Sequence, residues 1–262
     1  MQIRPVEESI GRIPVSPVTL DRIPGMESAK RCLEVALAGS LSMVFVYNSN
    51  SAAVEILRAG RRIAGKHGLP FHGLAYPACP CGNYASTTND CQCRPSVLRR
   101  HLSRLLPRRQ EFDIWMDACQ AKPAGIDVSK GDTENDVARR VLAARAIANA
   151  HAPPDGSSIE LLKAYQKHLG ATLDTDRILR AVRAIAALDG KSSQLEPHHT
   201  AEAIQYQAAS LSWVWQLTGL EKMEVTTERK VKSVFAKDIG RSHSRALPHG
   251  QAAETADDKA RG

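Results

Sequence analysis

Aromatic residues make up only 5% of the 262 positions, and no apolar run reaches the roughly 18 residues that a membrane-spanning helix needs. The first shortage argues against a β-sandwich core and, with a second half rich in Ala, Leu and Arg, favours helices. The second leaves no candidate for a membrane helix. The stretch from Met1 to Leu20 carries Arg, Glu and three prolines where a secretory leader needs an apolar segment, so a cytoplasmic location is expected. Cysteine is also scarce, with six in all, and in a reducing compartment these are not expected to form disulfides. Acidic residues are outnumbered 28 to 35 by Lys and Arg, which gives a net charge of +7 and a pI near 9.2. That balance suits a polyanionic partner, with a solvated basic surface as the alternative.

A chain of this length buries one good core or two smaller ones. Residues 1–20 read as an extended N-terminal segment. From Glu27 the positions Ala29, Cys32, Leu33, Val35, Ala36 and Leu37 have helical spacing, and Gly39 is placed to end that helix. Cys32 reads there as a small buried hydrophobe. Leu41 to Tyr47 is a bulky, β-prone run suited to a buried strand. Asn48 to Ser51 is a turn with capping residues, and Ala52 to Lys66 a second helix. Phe71 to Tyr76 predicts another strand. Glu111 to Met116 alternates like a third, with Phe112, Ile114 and Met116 on one face. Beyond a linker at 122–130, helices are expected near Glu134–Ala150, Ile159–Leu169, Thr175–Leu188 and Pro197–Leu217. Pro153-Pro154-Asp155-Gly156 and Asp189-Gly190 supply breaks between them. Trp213 and Trp215 close the last of these in an apolar cluster, read as core or as a docking edge. Residues 218–262 are polar and expected to be partly disordered.

Four of the six cysteines fall within fifteen positions, as Cys79-Pro-Cys81 and Cys91-Gln-Cys93. Zinc takes four soft ligands in tetrahedral geometry, and two short cysteine pairs folded back on each other by the turn-rich residues between them can supply that set. Four reduced thiols in a loop, or redox chemistry, are the alternatives. His72 and His101 flank the element and offer substitute ligands, with an ordinary surface histidine as the favoured alternative for each. Immediately afterwards comes a helix beginning at Pro95 with Val97, Leu98, Leu102, Leu105 and Leu106 on one side. Arg94, Arg99, Arg100, Arg104, Arg108 and Arg109 lie in or beside it, with no acidic residue among them. An amphipathic basic helix of this kind fits a DNA phosphate backbone, and the lack of interleaved aromatics disfavours single-strand stacking.

Cys79-Pro-Cys-Gly82 with Cys91-Gln-Cys-Arg-Pro95, followed by Arg177 to Gly190 and Ala201-Glu-Ala-Ile-Gln-Tyr206, resembles the magnesium-chelatase-like AAA+ ATPases of the competence protein ComM branch. Gly25 to Gly39 is similar to the helix that enters that family's nucleotide-binding core. The resemblance implies an α/β remnant of a P-loop AAA+ core over 21–121, with a Cys-rich loop at 77–95. An all-α helical lid would follow over 131–217, and the whole would be mostly helical. It also implies ATP with magnesium as cofactor, association with DNA, and Arg180 or Arg183 as the lid arginine that meets phosphate. The alternative for those arginines is an exposed basic helix face.

The chain departs from the family at the chemistry. Where the phosphate loop would read G-x-x-x-x-G-K-[ST], Tyr47, Ala52, Ala53 and Val54 stand at the two glycines, the lysine and the hydroxyl residue. No apolar strand ending in paired acids precedes the cysteine element, and the family's trans-acting arginine position falls on Glu111, beside Arg108 and Arg109. Phosphoryl transfer depends on charge positioned around the γ-phosphate and magnesium, so no ATPase activity and no catalytic residue are expected. What remains is a DNA- or partner-binding module. The alternatives are a regulatory subunit that binds an intact AAA+ relative or itself through the helical bundle, and a decayed product that folds in part.

Overall fold

A computed structural model describes residues 18–86, 88–119, 131–147, 155–169, 175–190, 195–207 and Val214. The protein is mostly helical and has one small parallel sheet. In chain order its elements are α1 (Glu27–Gly39), β1 (Met43–Tyr47), α2 (Ala53–His67), β2 (Gly73–Pro77), α3 (Pro95–Leu102), β3 (Ile114–Ala118), α4 (Glu134–Ile147), α5 (Gly156–Leu169), α6 (Thr175–Leu188) and α7 (Pro197–Gln205). Single 3-10 turns occupy Leu20–Arg22 and Leu106–Glu111.

The strands run in the order β2-β1-β3, with β1 parallel to both neighbours. Parallel neighbours cannot be joined by a tight turn, so each connection crosses a face of the sheet. Between β1 and β2 the crossover is α2, while from β2 to β3 the chain passes through the cysteine loop and α3. The central strand is apolar throughout, and Met43, Val44, Phe45 and Val46 are all fully buried. Alternation splits them between two cores. Met43 and Phe45 join Ala75, Ile114 and Ala118 against α1, α2, α4 and α6. Val44 and Val46 join Tyr76, Trp115, Leu98, Leu102, Leu105 and Phe112 on the opposite face.

α1 is buried on nearly every side, and its polar residues are there because each is paired. Lys30 Nζ donates to Ile23 O at 2.8 Å and to Glu27 Oε1 at 2.9 Å, while Glu34 accepts from Arg140 of α4. The last carbonyls of α1 are satisfied from the same neighbour, since Arg145 Nη1 donates to Leu37 O at 3.0 Å. α6 packs on α1 as well. Its Arg180 donates to Asp113 Oδ1 at 2.7 Å, and Asp113 Oδ2 accepts from the Ser42 backbone and hydroxyl at 2.9 and 2.8 Å. Ser42 precedes β1 and Asp113 precedes β3, so this knot ties the helices to the amino-terminal edge of the sheet.

Several boundaries differ from the sequence expectation. α3 ends at Leu102 and not Leu106, because Pro107 lacks the N–H that an α-helix there would need, and the chain continues as a 3-10 turn to Glu111. That turn delays β3 to Ile114 and puts Phe112 in the core of the opposite face from Ile114 and Met116. α5 starts at Gly156, three residues before Ile159, because Asp155 caps it by accepting from Ser158 N at 2.7 Å. α7 closes at Gln205, where Tyr206 O accepts from Trp115 N at 2.7 Å on the outer edge of β3. The expectations for Trp213 and Trp215, the 122–130 linker, 1–17 and the 218–262 tail lie outside the described residues.

Gly60 marks the tightest helix contact. A Cβ there would stand 2.5 Å from Leu33 Cδ1 and 2.9 Å from Phe71 Cζ. Leu33 is fully buried and has no room to yield. Gly60→Ala is therefore expected to cost about 1–3 kcal/mol despite the better helix propensity of alanine, read as a lowered urea midpoint at unchanged slope. A stabilised variant would contradict this packing of α1 on α2.

Candidate metal centre

The carboxyl ends of the three strands open onto two loops that bind each other. After β1, residues 48–52 turn into α2. After β2, Ala78 N donates to Tyr47 O at 2.7 Å, and the cysteine loop begins. Ser49 N donates to Gly82 O at 2.7 Å, Ser49 Oγ to Asn83 Oδ1 at 2.9 Å, and Thr88 Oγ1 to Asn50 Oδ1 at 2.9 Å. The N–H groups at the start of α2 have partners, the N-cap Ala52 N donating to Met26 Sδ at 3.3 Å and Ala53 N to Ser51 Oγ at 3.1 Å.

Within the cysteine loop, Gly82 takes a left-handed φ of 79°, which reverses the chain after Cys79-Pro-Cys81, and Gly82 N closes the turn on Cys79 O at 3.1 Å. Residues 83–86 and 88–90 lie between the pairs, and Cys91 and Cys93 stand beside the first pair. All four sulfurs lie within 4.8 Å of one another. The separations are 3.3 Å for Cys79 to Cys81, 3.6 Å for Cys81 to Cys91 and 3.7 Å for Cys79 to Cys91. A tetrahedron with metal–sulfur bonds of about 2.3 Å has sulfur–sulfur edges of about 3.8 Å, so the four thiols form a cage that can hold one soft metal ion. All six cysteines are free thiols.

The backbone favours negative charge at these sulfurs. Tyr84 N donates to Cys79 Sγ at 3.2 Å, and Cys81 accepts from the backbone N–H of Asn83 and of Gln92. Donation from Asn83 above all lowers the Cys81 thiol to about 6. Burial pushes Cys91 up to about 12, and the neighbouring Cys81 and Cys79 thiols add to the rise. Cys79 is completely buried and Cys81 is exposed, so the cage has a closed inner side and an open outer one.

His101 is not a ligand here. A carbonyl only accepts, so its contact with Pro77 O at 2.7 Å places the proton on Nε2, while Tyr76 Oη donates to His101 O at 2.6 Å and the two rings stack at 4.8 Å. These bonds clamp α3 to the end of β2. His72 precedes β2, at the other edge of the sheet, and its ring rests on Phe112 at 5.3 Å. Cys32 is fully buried, with its thiol held far above the ordinary range by burial. Cys119, after β3, donates to Val46 O at 3.8 Å.

Pro95 at the first turn of α3 follows Cys93 and Arg94 directly, so the cage fixes where the basic helix starts. Leu98, Leu102 and Leu105 are buried, while Arg94, Arg99, Arg100 and Arg104 are exposed. Arg108 lies apart from them, paired with Glu111 Oε2 at 2.7 Å and lying 5.2 Å over the Phe112 ring. The side chain of Arg109 lies outside the described part. Arg180 is bonded to Asp113 at the amino edge, the opposite end of the strands from residues 48–52, and Arg183 is exposed on α6. The thiols and the four exposed arginines are thus brought to one side of the sheet, and Arg180 to another end.

A second donor group, Asp189, His198 and His199, escaped the sequence reading, although a His-His pair at a helix start was its available signal. His199 is fully buried at the third position of α7, and its Nδ1 accepts from Glu196 N at 2.9 Å. The proton is therefore on Nε2, which faces Asp189 Oδ2 at 3.5 Å. A metal needs the lone pair that this tautomer lacks, so the group is a helix cap and not a cation site. Comparison with protein-family models and with curated proteins returns no match.

Burial, reinforced by His198, holds His199 below its usual range, and burial does the same to His101. Unfolded histidine takes up a proton near pH 6.5 and these folded ones resist it, so stability is full above about pH 7 and falls as pH drops through that value. The urea midpoint should be lower at pH 5.5 than at 7.5. In His199→Gln, which keeps a capping acceptor, the drop should shrink; an unaltered drop would show that His199 is not its source.

Proposed function

We propose that this protein is a zinc-braced, DNA-binding module of magnesium-chelatase-like AAA+ ancestry that does not hydrolyse ATP. The observation that carries the reading is the clustering of the Cys79, Cys81, Cys91 and Cys93 sulfurs within 4.8 Å immediately before a helix that has four exposed arginines in or beside it. Zinc is the metal because four thiolates at this spacing match its soft, tetrahedral preference and it adds no redox demand. The ion neutralises the crowded sulfurs and fixes Cys93, from which Arg94 and α3 follow without slack. Buried leucines seat the inner side of α3, and its arginines face outward to neutralise phosphates. No nucleobase contact is invoked, so the binding is independent of sequence.

The lack of ATPase chemistry is supported from two sides. Residues 48–52, at the position of a phosphate loop, carry no lysine and are bonded to the cysteine loop. Arg180, the arginine expected at phosphate, is engaged by Asp113 at the far end of the sheet.

Protein purified without chelator is expected to contain one zinc per chain by elemental analysis, and Cys79→Ser to contain less than half as much with a lower melting temperature. Full folding with no bound metal, in protein supplied with zinc, would rule out the brace. Four neutralised phosphates give a slope of about −3.6 in log affinity against log salt on duplex DNA. Arg99→Ala/Arg100→Ala/Arg104→Ala should bring this to about −1. An absence of binding even at low salt would turn the function toward a protein partner, such as an intact AAA+ relative or a second copy.

A further inference from the structure

The cage is asymmetric in a way that a purely structural site does not require. Cys79 is sealed inside the core, whereas Cys81 is exposed and Cys91 half-buried, with their sulfurs 3.6 Å apart. The same loop holds residues 48–51 by three hydrogen bonds, Ser49 N to Gly82 O, Ser49 Oγ to Asn83 Oδ1 and Thr88 Oγ1 to Asn50 Oδ1. By contrast, α3 has anchors that do not involve the sulfurs, namely Leu98, Leu102 and Leu105 in the core and the Tyr76–His101–Pro77 clamp. Opening the cage therefore has an assigned consequence. The outer part of the loop comes away from residues 48–51, and the basic helix keeps its seat.

We propose that Cys81 and Cys91 form a peroxide-sensitive clasp, whose oxidation expels the metal and frees residues 48–51 from the cysteine loop. This rests on the zinc reading above. The Cys81 thiolate attacks one oxygen of hydrogen peroxide, the O–O bond breaks, and with one proton the products are a sulfenic acid and water. The Cys91 thiolate then attacks the Cys81 sulfur, the S–OH bond breaks, and the hydroxide leaves as a second water on taking up a proton. Two electrons pass from the sulfurs to peroxide and none from the metal. With two of four thiolates removed, Cys79 and Cys93 alone do not complete a tetrahedral site, and the ion leaves. A thiol reductant reverses the step.

The test is run on the full chain. Its zinc content is measured first, and a metal-free protein at this stage refutes the zinc reading, separately from the clasp. Zinc-loaded protein is then titrated with hydrogen peroxide in the presence of a chromophoric zinc chelator, and the products are mapped by mass spectrometry. Amide exchange is followed in parallel. One zinc should be released per disulfide formed, the disulfide should join Cys81 to Cys91, and the Ser49 amide should exchange at least about tenfold faster while α3 amides keep their protection. Cys119→Ser should release zinc at the same peroxide dose, since Cys119 has no part in the clasp. Retention of zinc after peroxide, a disulfide between other residues, or an unchanged Ser49 amide would each overturn the proposal.

Discussion

Everything in this fold follows from a central strand that is apolar on both faces. Met43, Val44, Phe45 and Val46 are each fully buried, and each face gains roughly 1.5–3 kcal/mol per large side chain only if something covers it. One face is covered generously by α1 and α2, with α4 and α6 packed on α1 behind them. The other has α3, whose eight residues extend about 12 Å against strands of about 16 Å. The shortfall is made up at the carboxyl ends by Ala78, Cys79, Tyr84, Cys91 and Cys93. The cysteine loop is therefore part of the core cover and not an appendage to it.

That duty is one that a metal ion held by the four cysteines would serve. A loop of Gly, Asn, Ser, Thr and Asp has few apolar side chains with which to hold itself down, yet it must be ordered to seal Val46 and Tyr76. Fixing about ten residues costs on the order of 10–15 kcal/mol of backbone entropy. A structural zinc in a tetrathiolate cage contributes about 10–16 kcal/mol, which is the right size to offset it. Hydrogen bonds to residues 48–51 add little by comparison, being worth about 1 kcal/mol each, so they follow the state of the cage and do not set it.

Local pattern made the helices and strands readable, and long-range partners decided where they stopped. α6 runs from Thr175 to Leu188 as its periodicity implied, and α1 and α2 begin within a residue of their expected starts. Where the reading slipped, a distant or backbone feature had intervened. Asp113, held by Ser42 and Arg180, sets the start of β3, and neither partner is near it in sequence. The four cysteines were legible because ligand spacing is a local property. Hydrogen bonds that join Ser49 to Gly82 and Thr88 to Asn50 were not, because polar turn residues look alike until the fold pairs them. His199 was missed for the same reason, since its role depends on a backbone N–H three residues earlier.

The two ends of the sheet also bear on whether the chain can hold a nucleotide. A phosphate loop works because the first N–H groups of the following helix point outward with no partner. In this chain the Ala52 and Ala53 amides are turned to Met26 Sδ and Ser51 Oγ, and Ser49 N is turned to Gly82 O. An anion arriving there would have to displace all three donors from existing bonds, without a lysine to repay the loss. Arg180 is equally committed, at the other end of the strands, to a carboxylate that also holds the start of β1. Both positions are thus held by internal bonds, and a lysine placed at Ala53 alone would not create a nucleotide site.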